Sequence, residues 1–383
     1  MRKEELGIYI HMPFCKKKCY YCDFVSYANK CEQVEEYVNS VKKEISLYEL
    51  SKYNITTIYI GGGTPSYIDS KYIKEILDLS KEKLKGNETK FEDIEITIEV
   101  NPGTVTENKI KDYKEAGINR ISIGLQSTND SLLKEIGRIH TYQEFLDTYN
   151  TIRKNDFNNI NVDLMIGLPN QSILDIKDSL EKIVDLDPTH ISVYSLIVEE
   201  GTKIEKLLED GKIELPDEEL ERRMYWYVKD FLELKGYNQY EISNFSKKGK
   251  ESKHNFNCWN QEQYIGIGAA AHSYINDTRF SNISNLEEYI KNIKEGNIEK
   301  NRTIEEKQTI EDKKNEFMML GFRKIEGVDI AKFKEKFVDN PIFLYKNKLN
   351  KLVEEGLVEI DLNNIKLTNK GLDLANQVFE EFI

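Results

Sequence analysis

The sequence predicts an α/β fold of parallel β/α units, arranged as an open doubly wound sheet or as part of a barrel. Two observations lead there. Six short apolar runs recur through the first half of the chain, at residues 7–12 (GIYIHM), 56–63 (TTIYIGGG), 94–100 (IEITIEV), 119–126 (NRISIGLQ), 161–169 (NVDLMIGLP) and 190–196 (HISVYSL). Helical patterns separate them, with apolar residues at three- and four-residue steps and Lys and Glu on the opposite face.

Taken in order, the strand at 7–12 leads into a cysteine-rich stretch, and residues 34–50 form the first helix. The strand at 56–63 ends in a glycine-rich turn before a helix at 71–84, and the strand at 94–100 precedes a helix at 107–116. In the run NVDLMIG, alternation sets Asp163 on the face opposite Val162 and Leu164, which is the inside of a barrel. Residues 216–234 read as one long amphipathic helix, after which the rhythm changes. Gly- and Asn-rich stretches around 243–290 give way to helices near 304–337. The tail reads as a helix end, a hairpin (358–359 with 365–367) and a last helix, in the manner of a winged helix.

With 383 residues the chain is long enough for a sizeable core and for two domains. The formal net charge is −13 and no basic stripe stands out, so a nucleic-acid partner is not expected. The loop of the tail hairpin carries Asp361, Asn363 and Asn364 where a DNA-reading wing would be basic. The first residues lack the apolar core and cleavage site of a secretory signal, and no run of about 18 apolar residues exists to span a membrane. Five cysteines, an odd number in a chain this large, do not suit a disulfide framework. A cytoplasmic location with reduced thiols is expected.

Three of those cysteines, Cys15, Cys19 and Cys22, stand in a CxxxCxxC spacing directly after the first strand. A structural zinc site closes with four ligands, and Cys31 sits nine residues further on in a polar stretch. Three thiolates on a [4Fe–4S] cluster instead leave one iron open to a small molecule. Phe14, Tyr20, Tyr21 and Phe24 flank the motif and are expected to shield such a cluster. The turn GGGTPS (61–66) allows close backbone approach to a ligand. Glu99, Gln126 and Asp163 are polar residues in or at the ends of apolar strands, where ligand sites of β/α barrels collect.

The motif in this aromatic setting resembles the radical S-adenosylmethionine (SAM) superfamily, which implies a partial (β/α)6 barrel. It also implies a [4Fe–4S] cluster held by Cys15, Cys19 and Cys22, with SAM on the open iron, cleaved to a 5′-deoxyadenosyl radical. The segments YIHMPFCKKKCYYCDF, GGGTPS, EVNP, GINRISIGLQS, DLMIGLP, YSLIVEEGT, YEISNF and GIGAAAHSY narrow the resemblance to the oxygen-independent coproporphyrinogen III oxidase family. By that resemblance Tyr9, Tyr21, Gly62, Gly63, Thr64, Glu99, Gln126, Arg138 and Asp163 match SAM-contacting positions, and His11 matches a position beside the cluster. Carboxylates suit ribose hydroxyls, and Arg138 suits a carboxylate. The implied division is a radical SAM core at 1–235, a connecting segment with an HN…W motif at 236–300, and a winged-helix-like domain at 301–383.

The family divides between decarboxylases, which carry a further cysteine two residues after the third, and haem chaperones. Here that position is Phe24. The stretch HNFNCW (254–259) resembles the HNxxYW segment of the chaperone branch, with Cys258 in place of tyrosine. Imidazole is a common axial donor, so His254 is the candidate haem ligand. Cys258 is a further candidate or a buried apolar filler, and His272 ranks second among the histidines. The resemblance thus implies a haem carrier with haem as cargo, recipient haemoproteins that include membrane-associated respiratory enzymes, and the option of a homodimer. The alternative is the radical SAM decarboxylase of coproporphyrinogen III.

Overall fold

A computed structural model describes residues 3–383, and all six predicted strands are present. β1 (Glu5–Met12) is followed by a short parallel pair, β2 (Phe14–Cys15) and β3 (Tyr27–Ala28), which brackets the cysteine loop. β4 (Asn54–Gly62), β5 (Glu95–Val100), β6 (Arg120–Gln126), β7 (Ile160–Ile166) and β8 (His190–Ser195) then lie parallel beside β1 in chain order. Helices connect them, because parallel neighbours need a crossover. On β5 the two-residue period sends Ile96, Ile98 and Val100 into the main apolar core and Glu95, Thr97 and Glu99 to the other face. That second face is the inside of the barrel, and on β5 to β8 it carries mostly polar side chains.

Residues 236–300, expected as a connecting segment, add five strands to the same sheet: β9 (Asn238–Glu241), β10 (Asn244–Ser246), β11 (Gln263–Ile267), β12 (His272–Ile275) and β13 (Thr278–Asn282). With β14 (Arg302–Lys307) the sheet has twelve strands in the order β14-β13-β12-β11-β1-β4-β5-β6-β7-β8-β10-β9. β11 pairs parallel to β1, whereas β12 to β14 and the β10–β9 hairpin are antiparallel additions at the two edges. β14 and β9 end the order without pairing to each other, so the barrel is partial.

The expected helix beginning near 304 is a strand up to Lys307; the helix starts at Ile310. The reason is visible in RTIEEK: its Glu and Lys favour helix by propensity, but they also blunt an exposed sheet edge against further pairing.

A buried carboxylate ties the first helix to this extension. Glu44, on the helix Val34–Leu47, is 0% exposed and accepts from the Gly268 amide (2.9 Å), Asn282 Nδ2 (2.9 Å), Tyr289 Oη (2.6 Å) and Tyr48 Oη (3.3 Å). Beside it the Tyr37 hydroxyl donates to the His11 carbonyl at 2.7 Å and accepts from the Ala269 amide at 3.1 Å.

The C-terminal part has its own apolar core, built around Phe317, Phe322, Phe333, Leu349, Ile365 and Phe382. Its helices, including Ile310–Gly321, Ile330–Phe337 and Lys346–Glu354, surround a three-stranded antiparallel sheet of β15 (Val328–Asp329), β16 (Val358–Ile360) and β17 (Asn364–Leu367). In the β16–β17 loop Asp361 accepts from the amides of Asn363 and Asn364, both at 2.8 Å, so its carboxylate serves the turn. The expected last helix is split at Leu374 into Asn369–Asp373 and Ala375–Glu380.

Candidate functional site

The C-terminal ends of the parallel strands open onto a cavity of about 420 Å³. Its upper wall is the cysteine loop, and Cys15, Cys19 and Cys22 all line it. The Gly63 amide donates to the Met12 carbonyl and the Thr64 amide to that of Phe14, both at 2.9 Å, pressing the GGGTPS turn against β2. A Cβ on Gly63 would stand 3.0 Å from Cys15 Sγ and 2.9 Å from the Met12 oxygen, so this close approach requires glycine. Gly62 has φ +109, and a Cβ there would stand 2.4 Å from the His11 ring. Thr64 Oγ1 lies 3.5 Å from Cys15 Sγ, and Arg138 Nη1 donates to Cys19 Sγ at 3.5 Å.

Three free thiols facing one cavity, backed by a turn that excludes a side chain and approached by one guanidinium, fit a three-thiolate cluster. Among the described residues no three His, Cys, Asp or Glu side chains are spaced to hold a single metal ion. Burial raises the Cys15 thiol and pushes Cys22 up to about 11, with the Cys19 charge adding to the effect at Cys22. Both thiols therefore stay protonated until a metal takes the proton's place.

Below the cysteines, the predicted polar residues converge. Glu99 Oε2 accepts from the Gly62 amide at 3.0 Å and Oε1 from Tyr59 Oη at 2.9 Å. Asp163 accepts from Asn161 Nδ2 at 2.7 Å and Ser122 Oγ at 3.3 Å. Arg138 donates to Asn101 Oδ1 at 2.8 Å and to the Gly124 carbonyl. Gln126 sits at φ +75 just after a bulge in β6, a device that re-aims a side chain at a strand end. Tyr21, Gly62, Gly63, Thr64, Glu99, Gln126, Arg138 and Asp163 all line the cavity with the three cysteines.

Tyr9 lies outside that lining. Its hydroxyl pairs with His11 Nδ1 at 3.0 Å and its ring stacks on Tyr59. His11 Nε2 is 2.8 Å from the Val25 carbonyl, which can only accept. The proton is therefore on Nε2, and Nδ1 accepts from Tyr9. Of the flanking aromatics, Phe14 is buried, while Tyr21 and Phe24 line the cavity beside the cysteines, Phe24 with 63% of its surface exposed. Cys31 is exposed, 3.1 Å from Tyr67 Oη, and away from the cavity.

Sequence reasoning missed Tyr59, Arg120, Ser122, Asn161, Ser192 and Tyr194, which also line the cavity. The available signal was the strand period: each stands an even number of residues from another inward-facing residue of its own strand.

The HN…W stretch forms the helix Lys253–Trp259, which lies under the barrel. Glu95 accepts from the amides of Lys253 (3.2 Å) and His254 (3.1 Å), a negative charge placed at the helix N-terminus. His254 is 7% exposed, its Nδ1 is 2.8 Å from Thr57 Oγ1, and its ring stacks on Tyr59 at 5.2 Å. Burial, then the nearby Arg120 charge, pushes its pKa down to about 4, so the imidazole is neutral near pH 7. Cys258 lies one turn further along the helix, half-buried, its thiol pushed up to about 11 by burial. At the far end the Arg323 guanidinium stacks on Trp259 at 4.3 Å and Lys324 Nζ donates to Asn260 Oδ1 at 2.8 Å. His272 is exposed on β12 and faces Glu305 at 3.3 Å.

Residues 9–183 match the Radical SAM superfamily, and residues 309–374 match the HemN C-terminal domain. The heme chaperone HemW of Bacillus subtilis (strain 168) is 39% identical over 377 residues, covering 98% of this chain and 98% of its own. This chain belongs to the HemW family. HemW of Lactococcus lactis subsp. lactis (strain IL1403) is 37% identical over 389 residues, covering 100% of this chain and 98% of its own. The solved coproporphyrinogen III oxidase (HemN) from Escherichia coli, a radical SAM enzyme, superposes with a TM-score of 0.84 over 99% of this chain and 90% of that one. At 22% identity that likeness concerns the fold. Radical SAM membership implies a [4Fe–4S] cluster and SAM, which accords with the thiols and cavity of this HemW-family chain. No helix among the described residues is long and apolar enough to cross a membrane.

Glu99 gives this cavity a pH signature. Burial foremost, with the Asp163 charge adding, raises its carboxyl to about 7. Between the ordinary carboxylate range and that value the folded chain binds a proton that the unfolded chain has lost, so stability falls as pH rises through this window. Glu99→Gln is expected to make that slope shallower, read as melting temperature against pH from 4.5 to 7.5, with the raised Asp163, Glu44 and Glu241 carboxyls supplying what remains. A slope equal to the parent's would show that Glu99 ionises normally.

Proposed function

We propose that the chain is a haem chaperone: it binds haem, passes it to haemoproteins, and carries a [4Fe–4S] cluster and SAM in the barrel cavity. The observation that carries this reading is full-length similarity to heme chaperones HemW, at 39% and 37% identity. Phe24 in place of the further cysteine of decarboxylases, and the HN…W helix, support it.

Cys15, Cys19 and Cys22 would hold the cluster, which when bound supplies a one-electron redox centre with an open iron. Gly62, Gly63 and Thr64 would present backbone and hydroxyl groups to SAM's amino acid portion, with Arg138 near its carboxylate. Glu99, Gln126 and Asp163 are suited to the polar atoms of its ribose and base. Tyr9 acts behind this wall, fixing the His11 tautomer and buttressing Tyr59.

His254 is the proposed haem ligand, since its ring is neutral and Nδ1 is taken by Thr57, which leaves Nε2 without a hydrogen-bond partner among the described residues. A neutral imidazole with one nitrogen anchored is the form in which histidine binds iron. Because the side chain is 7% exposed, haem capture requires the helix to shift outward. Cys258 is the weaker candidate, because it stands where the chaperone segment has tyrosine and a buried free cysteine ordinarily serves as a small apolar filler.

The test is anaerobic reconstitution of the cluster, followed by SAM, reductant and either haem or coproporphyrinogen III. Expected is a stable haem complex that His254→Ala weakens at least tenfold, with no decarboxylation. Sustained decarboxylation of coproporphyrinogen III would overturn the carrier reading.

A further inference from the structure

The floor of the cavity holds a feature that the contacts described for the cluster and SAM leave unused. Arg120, on β6, is 1% exposed, yet it lines the cavity. Its Nε is buried without a partner, and the guanidinium makes no hydrogen bond, ion pair or ring stack among the described residues. Buried guanidinium groups are ordinarily paired, because an uncompensated buried charge is costly. Other groups compete for the obvious partners. Asp163 feels the Arg120 charge but accepts its hydrogen bonds from Asn161 and Ser122, and Glu99 accepts its own from Tyr59 and the Gly62 amide.

Register places Arg120 deep in the barrel. It pairs with Thr97, one inward layer below Glu99 and Ser122 and two below Gly124 and Asp163. Arg138, the guanidinium beside the cysteines, belongs to the upper rim. The cavity thus has two guanidinium groups at different depths, and among the described residues only the upper one hydrogen-bonds to protein acceptors.

We propose that Arg120 is the receptor for the carboxylate of a second small molecule, distinct from SAM, that enters the barrel below the SAM subsite. A guanidinium offers a planar fork that matches a carboxylate through two parallel hydrogen bonds. Around it Tyr59, Asn161, Ser192, Tyr194 and Asn255 line the same cavity, supplying hydroxyls, amides and aromatic faces for the rest of a polar or aromatic carboxylic acid. The inference rests on the cavity and not on the haem-carrier reading.

The experiment uses the full chain with its cluster reconstituted and sodium propionate as probe, with propionamide and sodium chloride at matched ionic strength as controls. Propionate is expected to raise the melting temperature saturably by several degrees, whereas propionamide and chloride do not. Arg120→Met is expected to lose that response, keep the cluster's visible absorption and SAM binding, and melt no lower than the parent without ligand. Arg120→Lys, which keeps the charge but not the fork, should weaken propionate about tenfold, and it serves if the methionine variant does not fold. Equal responses to propionate and chloride would overturn the proposal. So would loss of SAM binding in Arg120→Met or Arg120→Lys, which would assign the guanidinium to SAM's own carboxylate. A propionate response that survives in either variant at full strength overturns it too. Loss of cluster absorption in every sample, parent included, would instead count against the cluster reading.

Discussion

Cys19→Ser is expected to remove essentially all visible absorption from the anaerobically reconstituted chain, because a cluster bound at three positions has no spare protein ligand. Cys19 is the informative choice. It is half-buried at the cavity wall, and Arg138 Nη1 donates to its sulfur at 3.5 Å. Serine keeps the size and a hydrogen-bond acceptor for Arg138, so the loop backbone has little reason to move. Cys31→Ser is the matched control: that thiol is exposed, bonded to Tyr67 and away from the cavity, and its loss should leave the spectrum unchanged. Retained absorption in Cys19→Ser, or lost absorption in Cys31→Ser, would refute the three-cysteine assignment.

The second large effect concerns stability. Glu44→Ala should destabilise the chain by about 3–5 kcal/mol, read as the urea midpoint of the cooperative transition. The substitution leaves the Gly268 amide and Tyr289 Oη without their acceptor in a fully buried setting, and Asn282 Nδ2 with the Gly268 carbonyl alone. Glu44→Gln is expected to cost less, roughly 1–3 kcal/mol, because one oxygen can still accept while the new amide faces existing donors. If alanine and glutamine cost the same and little, the carboxylate is not what joins the first helix to β11–β13.

The parallel half of the fold was legible because strands buried on both sides read as short apolar runs, and their crossover helices carry their own period. The cavity was legible where chemistry is unusual: three thiols, a glycine turn, and carboxylates inside apolar strands. Tyr59, Ser122 and Asn161 escaped notice because tyrosine, serine and asparagine are unremarkable in a strand until its inward face is known. Arg120 escaped because an arginine at a strand start reads as a solvated end, whereas the neighbouring strands bury it. The strands between residues 236 and 307 were missed for another reason. They are three to six residues long, and the two that anchor them, β11 on β1 and β10 on β8, gain their place by pairing with strands earlier in the chain. The position of His254 under the barrel likewise depends on Glu95, which lies 159 residues earlier.

The helix Lys253–Trp259 has a consequence beyond its own site. One end is held by Glu95 and Thr57 inside the barrel, and the other by Arg323 and Lys324 of the C-terminal part. Seven residues are too few to absorb a displacement internally, so the helix acts as a short rigid lever. A ligand that draws His254 away from Thr57 must therefore do work against the Trp259 and Asn260 contacts. By thermodynamic reciprocity, whatever loosens the C-terminal part from Trp259 lowers the cost of exposing His254 by the same amount. On the proposed carrier reading, haem capture at His254 and the packing of the C-terminal part against Trp259 would thus be coupled through this one short helix.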